Sequence, residues 1–188
     1  ARIFHERPDL SERVQVDAVL ASLDRHYALT SGSSAMVYAG AREALRRLRA
    51  AGVKADILVF GALSVSDLDG LFDCRLTPTI STPGAAQAVQ AAAEEHKQRI
   101  RYHLKIDTGM NRLGARPEDA AAVGRRLAER GVLEGAYTHF ATSDEPDLRF
   151  AHEQFRRFTA VLAQLPPVLA HASNGGGILS LGTLPGMG

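Results

Sequence analysis

The chain has 188 residues, of which 45% are apolar and 23% charged, a composition typical of one globular domain spanning residues 1–188. A net charge of +1 creates no electrostatic field strong enough to favour nucleic acid or an anionic membrane as the partner. No apolar run approaches the ~20 residues of a membrane span, and the start ARIFHERPDL lacks the apolar core of a signal peptide. The single cysteine, Cys74, fits a reducing compartment, so we expect a cytoplasmic protein.

Short β-branched runs alternate with stretches of helical spacing along most of the chain. About six strands are predicted, at 36–38, 57–60, 77–80, 100–106, 135–140 and 168–172. Helices are predicted near 41–51, 64–72, 83–96, 117–130 and 147–165. Residues 12–29 also carry helical spacing, but no convincing strand precedes them.

Several residues mark the helix boundaries. Ser64 is a candidate N-cap, Thr82 and Arg116 each stand directly before a proline, and Gly52 and Gly131 stand where C-caps belong. Helices between short buried strands imply right-handed βαβ units and a parallel sheet. A closed barrel has eight such units. The chain is therefore predicted to be an α/β protein, either an open doubly wound sheet or an incomplete (β/α) barrel of the TIM type.

The stretch YHLKIDTGMNRLG, residues 102–114, joins a predicted strand to a polar loop. It brings Lys105 and Asp107 to the end of the strand and Arg112 into a loop bracketed by glycines. Because active sites of parallel α/β folds lie at the C-terminal ends of strands, this cluster indicates a site that handles anions. The alternative is that Asp107 and Thr108 cap the loop and Arg112 forms a surface ion pair.

Two further strand ends repeat this pattern. His139 ends the strand in YTHF, and Asn174 and Gly175 follow the strand in HASNGGG, where backbone N–H groups can cradle a phosphate. Most histidines at strand ends are simply packed or hydrogen-bonded, and the glycine-rich loop could equally be a flexible turn. Three polar clusters at successive strand ends, however, would converge on one face. No Cys/His spacing surrounds Cys74, so no metal site is predicted.

The positions of the lysines limit which of them could act as a reactive amine. The chain has three, of which Lys54 precedes a predicted strand and Lys97 lies among charged residues at a helix end. By elimination, Lys105 is the lysine best placed for chemistry.

At YHLKIDTGMNRLG the sequence resembles alanine racemase, a pyridoxal-phosphate enzyme of fold-type III whose N-terminal domain is a (β/α)₈ barrel. The resemblance continues through GVLEGAYTHFA (131–141), residues 143–147, residues 154–158 and HASNGGG, and upstream through residues 41–61. It covers residues 36–182 and leaves residues 1–35 poorly matched. The K-x-D-T-G-M-x-R-x-G motif is long and gapless, which makes it specific.

This resemblance implies interconversion of L-alanine and D-alanine through a pyridoxal-phosphate aldimine, to supply peptidoglycan synthesis, in a cytoplasmic homodimer. Arg112 corresponds to the arginine that contacts the cofactor's phenolic oxygen and the substrate carboxylate. Lys105 corresponds to a lysine that can be carbamylated and orients the arginine. His139 corresponds to the histidine against the pyridine ring, and Asn174 with Gly175 to the phosphate-side loop.

The sequence also departs from the family pattern. The Schiff-base lysine of the K-A-x-A-Y-G-H-G motif has no counterpart, and Gly175 replaces the serine that contacts the phosphate. The V-R-P-G segment is expected just after residue 182, where the chain reads LPGMG, and the C-terminal β domain is not found. Two interpretations remain: an alanine racemase barrel domain, or an inactive racemase-like fragment that at most binds phosphate or pyridoxal phosphate. The isolated chain is expected to be inactive.

Overall fold

The computed structural model describes residues 41–52, 54, 56–61, 63 and 68–187. The chain divides into two compact units, residues 1–47 and 48–188, and the five described strands all lie within the second. The strand predicted at 36–38, the helical spacing at 12–29 and the start signal at Ser64 lie outside the described residues. The single domain expected over residues 1–188 stays a prediction.

Helices and strands alternate along the described chain. In chain order they are α1 (Ala41–Ala50), β1 (Ile57–Val59), α2 (Asp69–Asp73), β2 (Leu76–Ile80), α3 (Pro83–Glu95), β3 (Arg101–Lys105), α4 (Pro117–Arg130), β4 (Val132–Tyr137), α5 (Arg149–Leu162), β5 (Leu169–His171) and α6 (Gly175–Leu181). None of these described helices is both long and apolar enough to cross a membrane.

The sheet has five parallel strands in the order β1-β2-β3-β4-β5. A doubly wound sheet reverses its strand order at a switch point, where ligands bind. Here each strand pairs with the next in sequence, and a helix follows each of them. This order is that of a (β/α) barrel, which resolves the choice that the sequence left open.

Side chains on one face of the sheet show that it curls. The ring of Phe60, directly after β1, lies 6.4 Å from the ring of His171 in β5 and 5.2 Å from that of Tyr137 in β4. In a flat sheet, strands four places apart would be separated by ~19 Å at the usual spacing. The fold is therefore an incomplete parallel barrel, with five βα units in the described part of the chain.

The hydrophobic core lies between the convex face of the sheet and the helices. Leu104 and Ala136 face outward from the central strands and are fully buried. Helices cover them with Val89 of α3, Leu127 of α4 and Phe158 of α5. Each large apolar side chain buried in this way contributes roughly 1.5–3 kcal/mol. This layer fixes the strands, so that their opposite face and their ends are free to carry polar groups.

Gly131 is the C-cap of α4, at the predicted position, but it does not have the left-handed conformation that is common there. Its backbone is extended, with φ −139° and ψ −151°, rather than left-handed. A Cβ atom at this position would lie 2.0 Å from Cε2 of Tyr102, whose ring is fully buried under the turn. Glycine is required here because the aromatic ring occupies the space of a side chain.

We expect Gly131→Ala to lower the free energy of unfolding by about 2 kcal/mol, because the added methyl group forces the Tyr102 ring out of place. Gly84→Ala is the matched control, since a Cβ at Gly84 in α3 would contact nothing within 4 Å. That control should be neutral or stabilising by about 0.5 kcal/mol. Denaturant unfolding measures both variants, and equal stability of the two would contradict the packing argument.

Candidate active site

The residues predicted to form a site lie at the C-terminal ends of three neighbouring strands. Lys105 is the last residue of β3, His139 follows β4 by two residues, and Asn174 follows β5 by three. The three strands are adjacent and parallel, so these ends meet at one edge of the sheet. Lys54 is exposed and precedes β1, which places it at the opposite edge.

Asp107 organises the loop that follows β3. Its Oδ1 accepts hydrogen bonds from the backbone N–H groups of Gly109 and Asn111, both at 3.0 Å. The Asp107 N–H donates to the Ala115 carbonyl at 2.9 Å, and the Ala115 N–H donates to the Lys105 carbonyl at 2.8 Å. Asp107 therefore caps the loop, as in the structural alternative that the sequence allowed for this residue.

Gly114 allows the loop to return to the sheet. Its φ is +143°, and a Cβ there would lie 2.5 Å from the Asp107 backbone nitrogen. A side chain would therefore be both strained and without space. Between these two anchors the loop projects Arg112, which is exposed and forms no ion pair with another described residue.

Lys105 points to the concave side of the sheet and is only 8% exposed. Its Nζ lies 5.5 Å from the centre of the Tyr137 ring, a distance typical of a cation–π contact. Burial lowers the pKa of Lys105, the charge of Arg112 lowers it further, and Asp107 partly opposes both. The fraction of Lys105 present as a neutral amine is therefore larger than for an exposed lysine.

His139 is subject to the same charges. Burial lowers its pKa, and the charges of Arg112 and then Lys105 lower it further. The charge of Arg112 thus acts on Lys105, and both charges act on His139, so the three side chains lie near one another at one edge of the sheet, which we call the opening. Because the pKa lies below the ordinary value for histidine, the imidazole is mainly neutral at pH 7.

Asn174, which follows β5, forms hydrogen bonds with residues that follow β4. Its Oδ1 accepts from the Gly177 N–H at 2.8 Å and from the Ser143 hydroxyl at 2.6 Å, and its Nδ2 donates to the Phe140 carbonyl at 3.3 Å. Asn174 is the N-cap of α6, so the glycine-rich segment is a short helix rather than a flexible turn. Gly175 is exposed, with nothing within 4 Å of an added Cβ.

A second group of polar side chains lies on the concave face below this opening. His103 Nδ1 is 3.0 Å from His171 Nε2, and the His171 ring stacks on that of Tyr137 at 4.7 Å. The Tyr137 hydroxyl is 3.1 Å from Thr79 Oγ1. The sequence predicted no site role for these four side chains. The available signal was the alternation in β3, where Arg101, His103 and Lys105 share one face.

The paired histidines are held neutral. Burial lowers the pKa of His171 to about 4, with the neighbouring His103 adding to the effect. Burial also lowers the pKa of His103, and the charge of Arg101 lowers it further. Their hydrogen bond requires that one facing nitrogen carries a proton and the other does not. In the described part of the chain, no group of three or more His, Cys, Asp or Glu side chains is arranged to hold a metal ion.

A family model described as alanine racemase, N-terminal domain, matches residues 22–185. The chain belongs to this family. The match extends upstream of residue 36, where the motif-based resemblance began.

Curated relatives and solved structures of alanine racemases share parts of this chain. The alanine racemase of Deinococcus deserti is 72% identical over 96 residues, which cover 51% of this chain and 27% of the relative. That of Deinococcus radiodurans is 58% identical over 121 residues, covering 64% and 32%. The structure of alanine racemase from E. faecalis aligns with a TM-score of 0.68 and 32% identity, covering 77% of this chain and 41% of that one. The matched part of the chain thus spans less than half the length of each.

We expect the neutral histidine pair to make stability depend on pH. The unfolded chain protonates His171 near pH 6.5, whereas the folded chain does so near 4, so stability is lost as the pH falls between these values. Allowing for partial solvent exposure, the loss should be roughly 2 kcal/mol. His171→Asn should flatten the plot of unfolding free energy against pH, and His152→Asn, an exposed histidine of α5, should not. Parallel plots for the wild type and His171→Asn would refute the assignment.

Proposed function

We propose that this chain is the barrel part of an alanine racemase, and that its substrate is alanine. The observation that carries the proposal is the opening at the ends of β3 and β4, where Arg112, Lys105 and His139 act on one another. Membership of the alanine racemase family supports the assignment of that opening to this reaction. The family further supports a homodimer, a cytoplasmic location and pyridoxal phosphate as the cofactor.

The donor set fits pyridoxal phosphate. The group carries a phenolate and a phosphate on a flat aromatic ring, and the opening offers the Arg112 cation and a neutral, half-buried imidazole. Arg112, His139, Asn174 and Gly175 would hold it. When bound, the cofactor supplies the electron sink that makes the α-proton of an amino acid acidic.

Arg112 would bind the substrate carboxylate. Its planar guanidinium can donate two parallel hydrogen bonds to a carboxylate, which fixes both position and orientation. The anchored loop between Asp107 and Gly114 restricts where that guanidinium can lie. His139, being neutral, can pack its ring against another aromatic ring without bringing a charge to it.

Lys105 would act on Arg112 rather than on the substrate. Burial lowers the pKa of Lys105, and repulsion by the neighbouring Arg112 cation lowers it further. A neutral amine can attack carbon dioxide, forming an N–C bond and releasing a proton, and the product is a carbamate. That anion would hold the Arg112 guanidinium in place, where the lysine cation repels it.

Asn174 would act by shaping the loop. Its side-chain oxygen and one of its N–H groups already bond to Gly177, Ser143 and Phe140. Gly175 lies in open space, so a ligand can approach its backbone closely. We propose that this pair positions the phosphate side of the cofactor.

A polypeptide of these 188 residues alone should show no racemisation above a control of free cofactor. Lys54 and Lys97 are exposed and away from the opening, and Lys105 is assigned to Arg112, so no lysine is left to bind the cofactor covalently. Loss of covalent catalysis and of an opposing base removes most of the rate enhancement; acid–base assistance alone contributes ~10²–10⁴-fold. The measurement is the change in optical rotation of L-alanine with purified chain and pyridoxal phosphate. Racemisation above the control would refute this prediction.

The next test uses the protein translated from the complete reading frame that encodes these residues. In that protein, Arg112→Lys should lower kcat/KM for alanine racemisation by roughly 10²-fold, because a positioned hydrogen-bond donor is lost. Arg116→Lys, an exposed arginine just beyond the same loop, is the matched control and should retain wild-type activity. If Arg112→Lys is as active as the control, Arg112 does not have the proposed role. If the wild-type product has no activity, the chain is instead an inactive racemase-like protein.

A further inference from the structure

Gln154 of α5 is fully buried, and both the oxygen and the nitrogen of its side-chain amide form hydrogen bonds. Its Oε1 accepts from the Ala141 N–H at 2.9 Å, and its Nε2 donates to the His139 carbonyl at 3.1 Å and to Thr108 Oγ1 at 3.3 Å. A buried glutamine with its donors and acceptor all satisfied indicates a specific position rather than accidental burial.

The first two bonds replace missing sheet partners. The segment from His139 to Ala141 lies beyond the end of β4, where the sheet ladder has stopped. Gln154 accepts from one residue and donates to another two positions away, which is how a neighbouring strand would pair with it. The backbone at His139 is thereby held in place by a side chain of the covering helix.

The third bond extends this hold to the loop that carries Arg112. Thr108 is 1% exposed and begins that loop, and since its Oγ1 accepts from Gln154, its own O–H can donate to Thr138 Oγ1 at 2.7 Å. Arg157, one turn along α5, donates to the Thr108 carbonyl at 3.1 Å. Helix α5 therefore contacts both strand ends, through hydrogen bonds from the fully buried Gln154 and from Arg157.

We infer that Gln154 is a positioning residue: its buried amide fixes the backbone of His139 and the loop of Arg112 relative to each other. Neither leucine nor glutamate can reproduce this function, because leucine bonds to neither segment and a carboxylate accepts hydrogen bonds but cannot donate them. That Gln154 fixes these two segments follows from its hydrogen bonds alone. Its importance for racemisation rests on the proposed function.

The test uses the full 188-residue chain and NMR titration of its histidines, with the His139 signal assigned through His139→Asn. Burial and the charges of Arg112 and Lys105 lower the pKa of His139. Gln154→Leu should raise that pKa towards its ordinary value, because the ring moves away from the two cations. The Ala141 amide, whose acceptor is removed, should exchange with solvent roughly tenfold faster or more.

The matched control is Gln90→Leu, which removes a buried glutamine of α3 that donates to the Arg126 carbonyl at 3.1 Å, remote from the opening. It should lower stability and leave the pKa of His139 and the exchange of Ala141 unchanged. A His139 pKa equal in Gln154→Leu and wild type would overturn the inference, as would an equal rise in the control.

Should Gln154→Leu fail to fold, Thr108→Val decides the question. This variant keeps the shape of the side chain but removes the hydroxyl that links Gln154 to the loop. A raised His139 pKa in Thr108→Val supports the inference, and an unchanged pKa overturns it. None of these measurements requires racemase activity, so failure of the inference is distinguishable from failure of the proposed function.

Discussion

The candidate site depends on the consecutive parallel pairing of β3, β4 and β5. Because the three strands run in the same direction and are neighbours, the residues that follow them must meet at one edge of the sheet. Lys105, His139 and Asn174 come from positions far apart in sequence, yet this pairing alone brings them to a common opening. Curling of the sheet then turns the edge into a concave rim, and polar side chains occupy the inner face, where closed barrels usually pack branched apolar residues.

The sequence predicted best those elements whose boundaries depend on local chemistry. Helix α4 has the predicted bounds, 117–130, because a proline at its first position and a glycine after its end mark both limits. Helix α3 begins at Pro83 as predicted, with Thr82 as its N-cap, and the threonine hydroxyl accepts from the Ala85 N–H at 3.1 Å. Helix α6 was missed, because three successive glycines have low helix propensity and outweigh the N-cap signal of Asn174.

The features that sequence could not predict are those set by tertiary contacts. His103 and His171 are 68 residues apart, and nothing local to either indicates that they share a hydrogen bond. Gln154 lies in a helix where glutamine usually faces solvent, so its burial against two strand ends is visible only in the structure. Strand β4 begins at Val132 and ends at Tyr137, earlier than the predicted 135–140, because its register is set by pairing with β3 rather than by its own composition.

The most direct test of the convergence at this opening is the pKa of His139, measured by NMR in the wild type, in Arg112→Gln and in Arg116→Gln. The charge of Arg112 contributes to lowering that pKa, so its removal should raise the value, whereas removal of the Arg116 charge beyond the loop should not. A rise confined to Arg112→Gln would show that the loop after β3 and the end of β4 face one opening. The same pKa in all three proteins would contradict the arrangement on which the proposed function depends.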